Sequence, residues 1–366
     1  MTERMTRWIR KELPSDIVEK VEGNIVTYEQ DGEEIAYMES ECGQFQRYIC
    51  YANPFSGPSL SKSELYAKGE AILRDVFHEV WPAHYELSRS AIGDEHMVTV
   101  TPIDEQTGKP LVRYEWSVGL YETGTISHVI APSGTYSFET IDYTYSVEEV
   151  KERYLQALSL PLRYARFEGD EQYVGGDGTY HLIYDALEGM PFVEPDGTFN
   201  ESYTYVTEDT SISVDDWAQW ADRAEALLHE LIGLIELRTV SVTEGEERDE
   251  IRVTVERLVD GYRVGERSTL DFHRERAVMI RCVLDHGLYA NITPQPIRLT
   301  REEAREIVSA HTTFGYSPEV YNDEDDKHTI FVRGISEQFP ASHGAIHAVE
   351  AATGNPWLVD TSWMNE

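Results

Sequence analysis

Apolar positions along this chain fall into two alternating periods. Behind Ser61, the residues Leu65, Ile72, Leu73, Val76, Phe77 and Val80 recur at helical spacing and make one stripe. Behind Ser213 and Asp216, Trp217, Ala221, Ala224, Leu228 and Leu231 do the same. Shorter stripes follow Ser146 (Val150, Tyr154, Leu158) and Thr300 (Ala304, Ile307, Val308). Ser61 with Glu64, Ser146 with Glu149 and Thr300 with Glu303 have the capping-box spacing, in which hydroxyl and carboxylate satisfy each other's backbone amides. The pattern predicts four capped helices. Between them the period drops to two. Ile251, Val253 and Val255 alternate with Arg252, Thr254 and Glu256, giving a strand with one dry and one wet face, and Val98 and Val100 mark its earlier counterpart. Residues 24–53 also read as strands, through Ile25, Val26, Ile35, Tyr37, Tyr48 and Cys50. Gly108, Gly124, Gly261 and Gly354 mark turns, three of them after threonine.

These signals repeat. Ser61 and Ser213 are 152 residues apart, Gly108 and Gly261 153, Ser146 and Thr300 154. The sequence therefore predicts an α+β fold of tandem duplicated helix-on-antiparallel-sheet units, four units in two halves. A strand-rich lead-in would occupy 1–58, ending near Asn53 to Pro58 where Pro54 and Gly57 break the pattern. The first duplicated half would run 59–205 and the second 206–366, with the polar stretch Thr198 to Ser213 as their seam and Trp357 to Trp363 closing the last sheet.

Charge narrows the partners. The 366 residues carry a formal net charge of −36, which repels a phosphate backbone and an anionic lipid surface, so no nucleic acid partner is expected. Arginine (24) outnumbers lysine (7), a balance that fits either a salt-adapted surface or a merely soluble one. No apolar run reaches 18 residues; the stretch Leu227 to Leu237 is interrupted by His229 and Glu230, so no membrane span is expected. The chain as written opens on Arg4, Arg7, Arg10 and Lys11 without an apolar stretch behind them. That reads as cytoplasmic, or as extracellular or cell-envelope if the N-terminus has been processed. Cys42, Cys50 and Cys282 make no disulfide framework; Cys42 and Cys50 would pair only across adjacent strands, and two reduced thiols is the plainer reading.

A capped helix, a strand run ending in a loop glycine and a strand with an acidic-x-Thr-Gly type turn together resemble the YcdB/YcdC repeat, a relative of the PepSY domains of peptidase propeptides. Thr300 to Ala310 resembles the PepSY helix. Ala345 to Trp357, with Val349, Glu350, Thr353 and Gly354, resembles its closing hairpin, and Asp249 to Val283, with Asp260 and Gly261, the central hairpin. The resemblance covers roughly residues 60–360. It implies a cystatin-like fold and a binding or inhibitory role toward a peptidase or cell-wall hydrolase, and it supplies no catalytic motif.

Candidate chemistry is sparse. His343 and His347 have the spacing of paired helical metal ligands, but the segment reads as strand, where four residues span roughly 13 Å. His229 and Glu230 open like a zinc-protease helix, yet position 233 is Gly233. Asn322, Asp323, Glu324, Asp325 and Asp326 would attract calcium, but Lys327 stands where an EF-hand has glycine, and a solvated hairpin loop is the better reading. Its earlier counterpart, Gly169 to Gly178, holds only Asp170, Glu171 and Asp177. The glycines Gly175, Gly176 and Gly178 lack the Lys-Ser/Thr of a phosphate loop, and Cys282 with His286 reads as a buried strand thiol. No catalytic residue, metal or cofactor is expected.

The aromatic residues say more. Tyr114, Trp116 and Tyr121 crowd one hairpin, and Tyr136, Tyr143 and Tyr145 follow before the Ser146 helix. Aromatics on a sheet face suit protein recognition, and they equally fill cores. The sequence thus predicts a non-enzymatic protein-binding or regulatory protein with these six residues as its candidate surface. Two alternatives stay open: a hydrolase whose carboxylate pair meets at the seam between halves, and a structural tandem-repeat spacer.

Overall fold

The structure, a computed structural model, describes residues 2–14, 16–41, 44–51, 58–132, 134–168, 173–200, 217–245, 249–322, 328–340 and 343–360. Cys42, the Asn53–Gly57 break, Gly169 to Glu171, the Ser213 and Asp216 cap, the acidic residues Asp323 to Asp326 and Trp363 lie outside them.

The chain opens with helix α1 (Thr2–Glu12) and strands β1 (Val18–Glu22), β2 (Ile25–Gln30), β3 (Glu33–Glu41) and β4 (Gln44–Cys50). Helix α2 (Lys62–Val76) follows, then β5 (Tyr85–Ile92), β6 (Glu95–Asp104), the short β7 (Lys109–Pro110), β8 (Trp116–Tyr121) and β9 (Ile126–Ile130). These strands make one nine-stranded sheet in the order β1-β2-β3-β4-β9-β8-β6-β5, with β7 pairing β6 off that path. Strand β4 pairs antiparallel with β9, which fuses the lead-in to the strands after α2. The α2 stripe of Leu65, Ile72, Leu73 and Val76 is buried against the sheet. Gly69 lets the helix come close, because a Cβ there would stand 2.8 Å from Val98 Cγ2. Helix α1 was not foreseen. Its Met5 and Ile9 are fully buried, and its polar face is tied to α2 by Arg4–Asp75 (3.0 Å) and Lys68–Glu12 (2.8 Å).

Next come β10 (Thr135–Phe138), α3 (Val147–Ala157), β11 (Leu162–Arg166), β12 (Tyr180–Asp185) and the small hairpin β13 (Phe192–Val193) with β14 (Phe199–Asn200). Helix α4 (Trp217–Ile232) leads into β15 (Leu237–Glu244), β16 (Glu250–Val259), β17 (Tyr262–His273) and β18 (Met279–Val283). Helix α5 (Arg301–His311) leads into β19 (Thr313–Asn322), β20 (His328–Gln338), β21 (His343–Glu350) and β22 (Pro356–Asp360). Eight of these strands form a second sheet, ordered β15-β16-β17-β11-β12-β21-β22 with β18 on β17, and three form a third, β10-β20-β19.

The expected α+β architecture of four helix-on-sheet units needs correction. Among the described residues 45% lie in strands and 21% in five helices, so the protein is mainly β. Helix α2 lies on β6 and β8 and α4 on β15 and β16, each followed by a four-strand antiparallel meander. The other two helices do not cover sheets of their own. Helix α3 packs on β19, α5 on β21, and the two helices touch. The strands beside them are dealt between sheets: β10 pairs parallel with β20, β11 parallel with β17, and β12 antiparallel with β21. Local periodicity marks where a strand lies but carries nothing about its distant partner, and these pairings join residues far apart in the chain.

All three complete capping boxes are present, at Ser61, Ser146 and Thr300. Among the described residues no helix is long and apolar enough to cross a membrane.

Candidate functional site

The six aromatics singled out by sequence separate into core and surface. Tyr114 and Trp116 are buried in the core of the nine-stranded sheet. Tyr136 meets Tyr114 edge-on at 4.7 Å and Phe331 at 6.1 Å, so these rings stitch that core to the three-stranded sheet. Tyr121 is half-buried and its hydroxyl donates to the Cys50 carbonyl (3.2 Å). Tyr145, half-buried, lies under Arg153 at 3.9 Å from ring centroid to guanidinium. Tyr136 and Tyr143 are both exposed, and Tyr143 is the one of them that lines a recess.

That site is a recess of about 390 Å³ lined by Gln106, Thr107, Tyr143, Tyr316 and Arg333. It forms where the turn after β6 meets β19 and β20. Asp104, the last residue of β6, shapes the turn by accepting from the backbone amides of Gln106 (3.4 Å) and Thr107 (3.2 Å) and from the Thr107 hydroxyl (2.8 Å). Its two carboxylate oxygens also receive Arg333 Nε and Nη2, both at 2.9 Å. Burial alone would raise the Asp104 carboxyl, but Arg333 and the turn donors hold it below the usual carboxylate range. The Arg333 guanidinium stands 4.0 Å over the Phe138 ring, fixed by the ion pair and by cation–π attraction. Above it Tyr143 and Tyr316 lean together at 5.2 Å and are 42% and 43% exposed. The Tyr143 hydroxyl donates to the Arg333 carbonyl (2.6 Å); burial and then the neighbouring Tyr316 push this phenol up, so the donor stays protonated.

Tyr316, Arg333 and Asp104 were missed in the sequence. Arg333 offered a signal, a lone cation in the otherwise apolar run Ile330 to Ile335. Tyr316 offered none beyond strand alternation.

A second polar group lies where β12 and β21 pair. Asp185 Oδ2 receives Arg163 Nε at 2.5 Å, and Arg163 reaches Glu266 at 2.9 Å. Burial opposes ionisation of Asp185, yet Arg163, His347 and the Glu188 amide keep its carboxyl below the usual range. His347, on β21, is held neutral by burial, with its Nδ1 2.6 Å from the Tyr173 hydroxyl. His181 sits between Asp177 (3.1 Å) and Glu350 (3.3 Å). Phe167 stacks on Trp357 at 4.4 Å beside both histidines.

The remaining motifs resolve simply. The segment His343–Glu350 is a strand, where the spacing of His343 and His347 does not favour a shared ion. His229 Nε2 lies 3.0 Å from the Ile235 carbonyl, a helix-end contact. Cys282 is half-buried rather than buried, because β18 lies at the margin of its sheet with Ile280 and Val283 exposed. Among the described residues no group of three or more His, Cys, Asp or Glu is placed to hold a metal ion.

No family model matches the chain, and neither a curated protein nor a solved structure matches it.

Proposed function

We propose that the protein acts by binding another protein, in the manner its resemblance to the YcdB/YcdC and PepSY-like repeats implies, and that a peptidase or cell-wall hydrolase is the partner it regulates. One observation carries this reading: the Tyr143–Tyr316 pair stands exposed on an immobilised Arg333–Asp104 base. Tyrosine and arginine dominate the energetics of protein interfaces, and rings held rigidly lose little entropy on docking. A pull-down with the whole chain should retain a protein partner that the Tyr143→Ala/Tyr316→Ala double variant does not retain. No partner in the pull-down, together with turnover by the purified chain in a broad hydrolase screen, would remove the proposal.

A second reading, a hydrolase using carboxylates from both halves, is favoured by the β12–β21 junction. There Asp185 and Glu350, from opposite halves of the chain, lie on paired strands beside His181 and His347. Turnover lost in both Asp185→Asn and Glu350→Gln variants that still fold would select it over the first.

A further inference from the structure

A second, larger cavity of about 640 Å³ opens between α3 and the β13–β14 hairpin, with none of its lining residues shared with the Tyr143–Tyr316 recess. Its walls are of two kinds. Ala157, Pro191 and Phe199 supply apolar surface, while Arg153 and Gln156 on α3 supply donors. The volume lies within the range that encloses a small organic molecule.

Arg153 is the notable group. In a chain with 67 acidic and 31 basic residues, arginines meet carboxylates readily, as Arg4, Arg47, Arg163 and Arg333 do. Arg153 forms no ion pair among the described residues. Glu149, one turn before it, is hydrogen-bonded to the amide and hydroxyl of Ser146 (2.9 and 2.7 Å), and Arg153 acts on it only through its charge, as the last of the influences that lower its carboxyl. Glu152 accepts from Gln156 (3.3 Å). The Arg153 guanidinium lies over the Tyr145 ring at 3.9 Å, a contact made through the face of the cation, and its N–H groups have no carboxylate partner among the described residues. A planar fork so presented matches a carboxylate, and the apolar wall beside it matches a ring-sized body.

We propose that this cavity binds a carboxylate carried on an aromatic body, with Arg153 taking the carboxylate and Phe199 and Pro191 covering the ring. Such a ligand exists as a free aromatic acid and as the C-terminal residue of a polypeptide. The proposal goes beyond the protein-binding reading and depends on neither Tyr143, Tyr316, Arg333 nor Asp104.

The test is calorimetric titration of the full chain with N-acetylphenylalanine and, separately, with its C-terminal amide. The acid should bind at least about tenfold more tightly than the amide, the margin expected of a charge-assisted pair. Arg153→Gln should abolish that difference and Arg153→Lys restore part of it. Since Arg153 is exposed and outside the core, both variants should melt as the parent does. A short peptide ending in phenylalanine separates the sources: tighter binding than the single acid assigns a polypeptide terminus, equal or weaker binding a free acid. Equal affinity for acid and amide, no heat from either, or an Arg153→Gln variant that still discriminates would overturn the proposal.

Discussion

Glu337 shows how burial alone can make one side chain govern a pH response. It sits on β20 with the Tyr154 hydroxyl 3.5 Å from its carboxylate, and burial raises its pKa from 4.5 to about 7. The folded state therefore holds this proton more tightly than the unfolded chain does. Its contribution to stability is complete below pH 4.5 and is lost as pH rises through about 7. Glu337→Gln should melt like the parent at pH 4 and be more stable at pH 8, on the order of 2–3 kcal/mol, in paired thermal melts. Identical melts at pH 8 would show that the carboxylate is hydrated. In the sequence Glu337 looks like any polar residue of an alternating strand. The Tyr154 hydroxyl that it meets lies 183 residues earlier, so no window of local pattern could show its setting.

At the level of elements, the nine-stranded and three-stranded sheets share the apolar contacts of Phe331 and one buried polar tie, the Asp104–Arg333 pair, 229 residues apart in the chain. Asp104→Ala should leave a half-buried guanidinium uncompensated and cost about 2 kcal/mol, while adding Arg333→Met should recover part of the loss. A double-mutant cycle in urea measures this; additive losses would show the two residues to be independent. The helices beside this joint were readable in advance, because a capping box is local chemistry: Ser146 and Glu149 need only each other. Their packing was not readable. The Val150 and Tyr154 stripe announces that α3 buries a face, yet the surface it meets is β19, which begins at Thr313 and is supplied by the far end of the chain. Helix α1 stayed hidden for another reason: Met5 and Ile9 are a thin stripe among Arg4, Arg7, Arg10 and Lys11, and basic residues dominated the pattern.

Across the whole molecule, the sheets divide the chain differently from the sequence repeat. Every strand of the nine-stranded sheet comes from residues 18–130, and among the described residues only Phe331 of the buried core comes from beyond them on the C-terminal side. Residues 1–132 expressed alone should therefore fold and melt cooperatively. Residues 206–366 alone should not, because β11 and β12 stand between β17 and β21 in the eight-stranded sheet and would be missing. Circular dichroism melts of the two fragments check both outcomes, and a cooperative melt from residues 206–366 would contradict the strand order. That interleaving also sets a timetable for synthesis. Strands β11 and β12 leave the ribosome early, but the partner that closes over β12 is made only at residues 343–350. Until then an unpaired strand edge is open to other chains, so slow translation of the last segment should raise aggregation more than slow translation of the first.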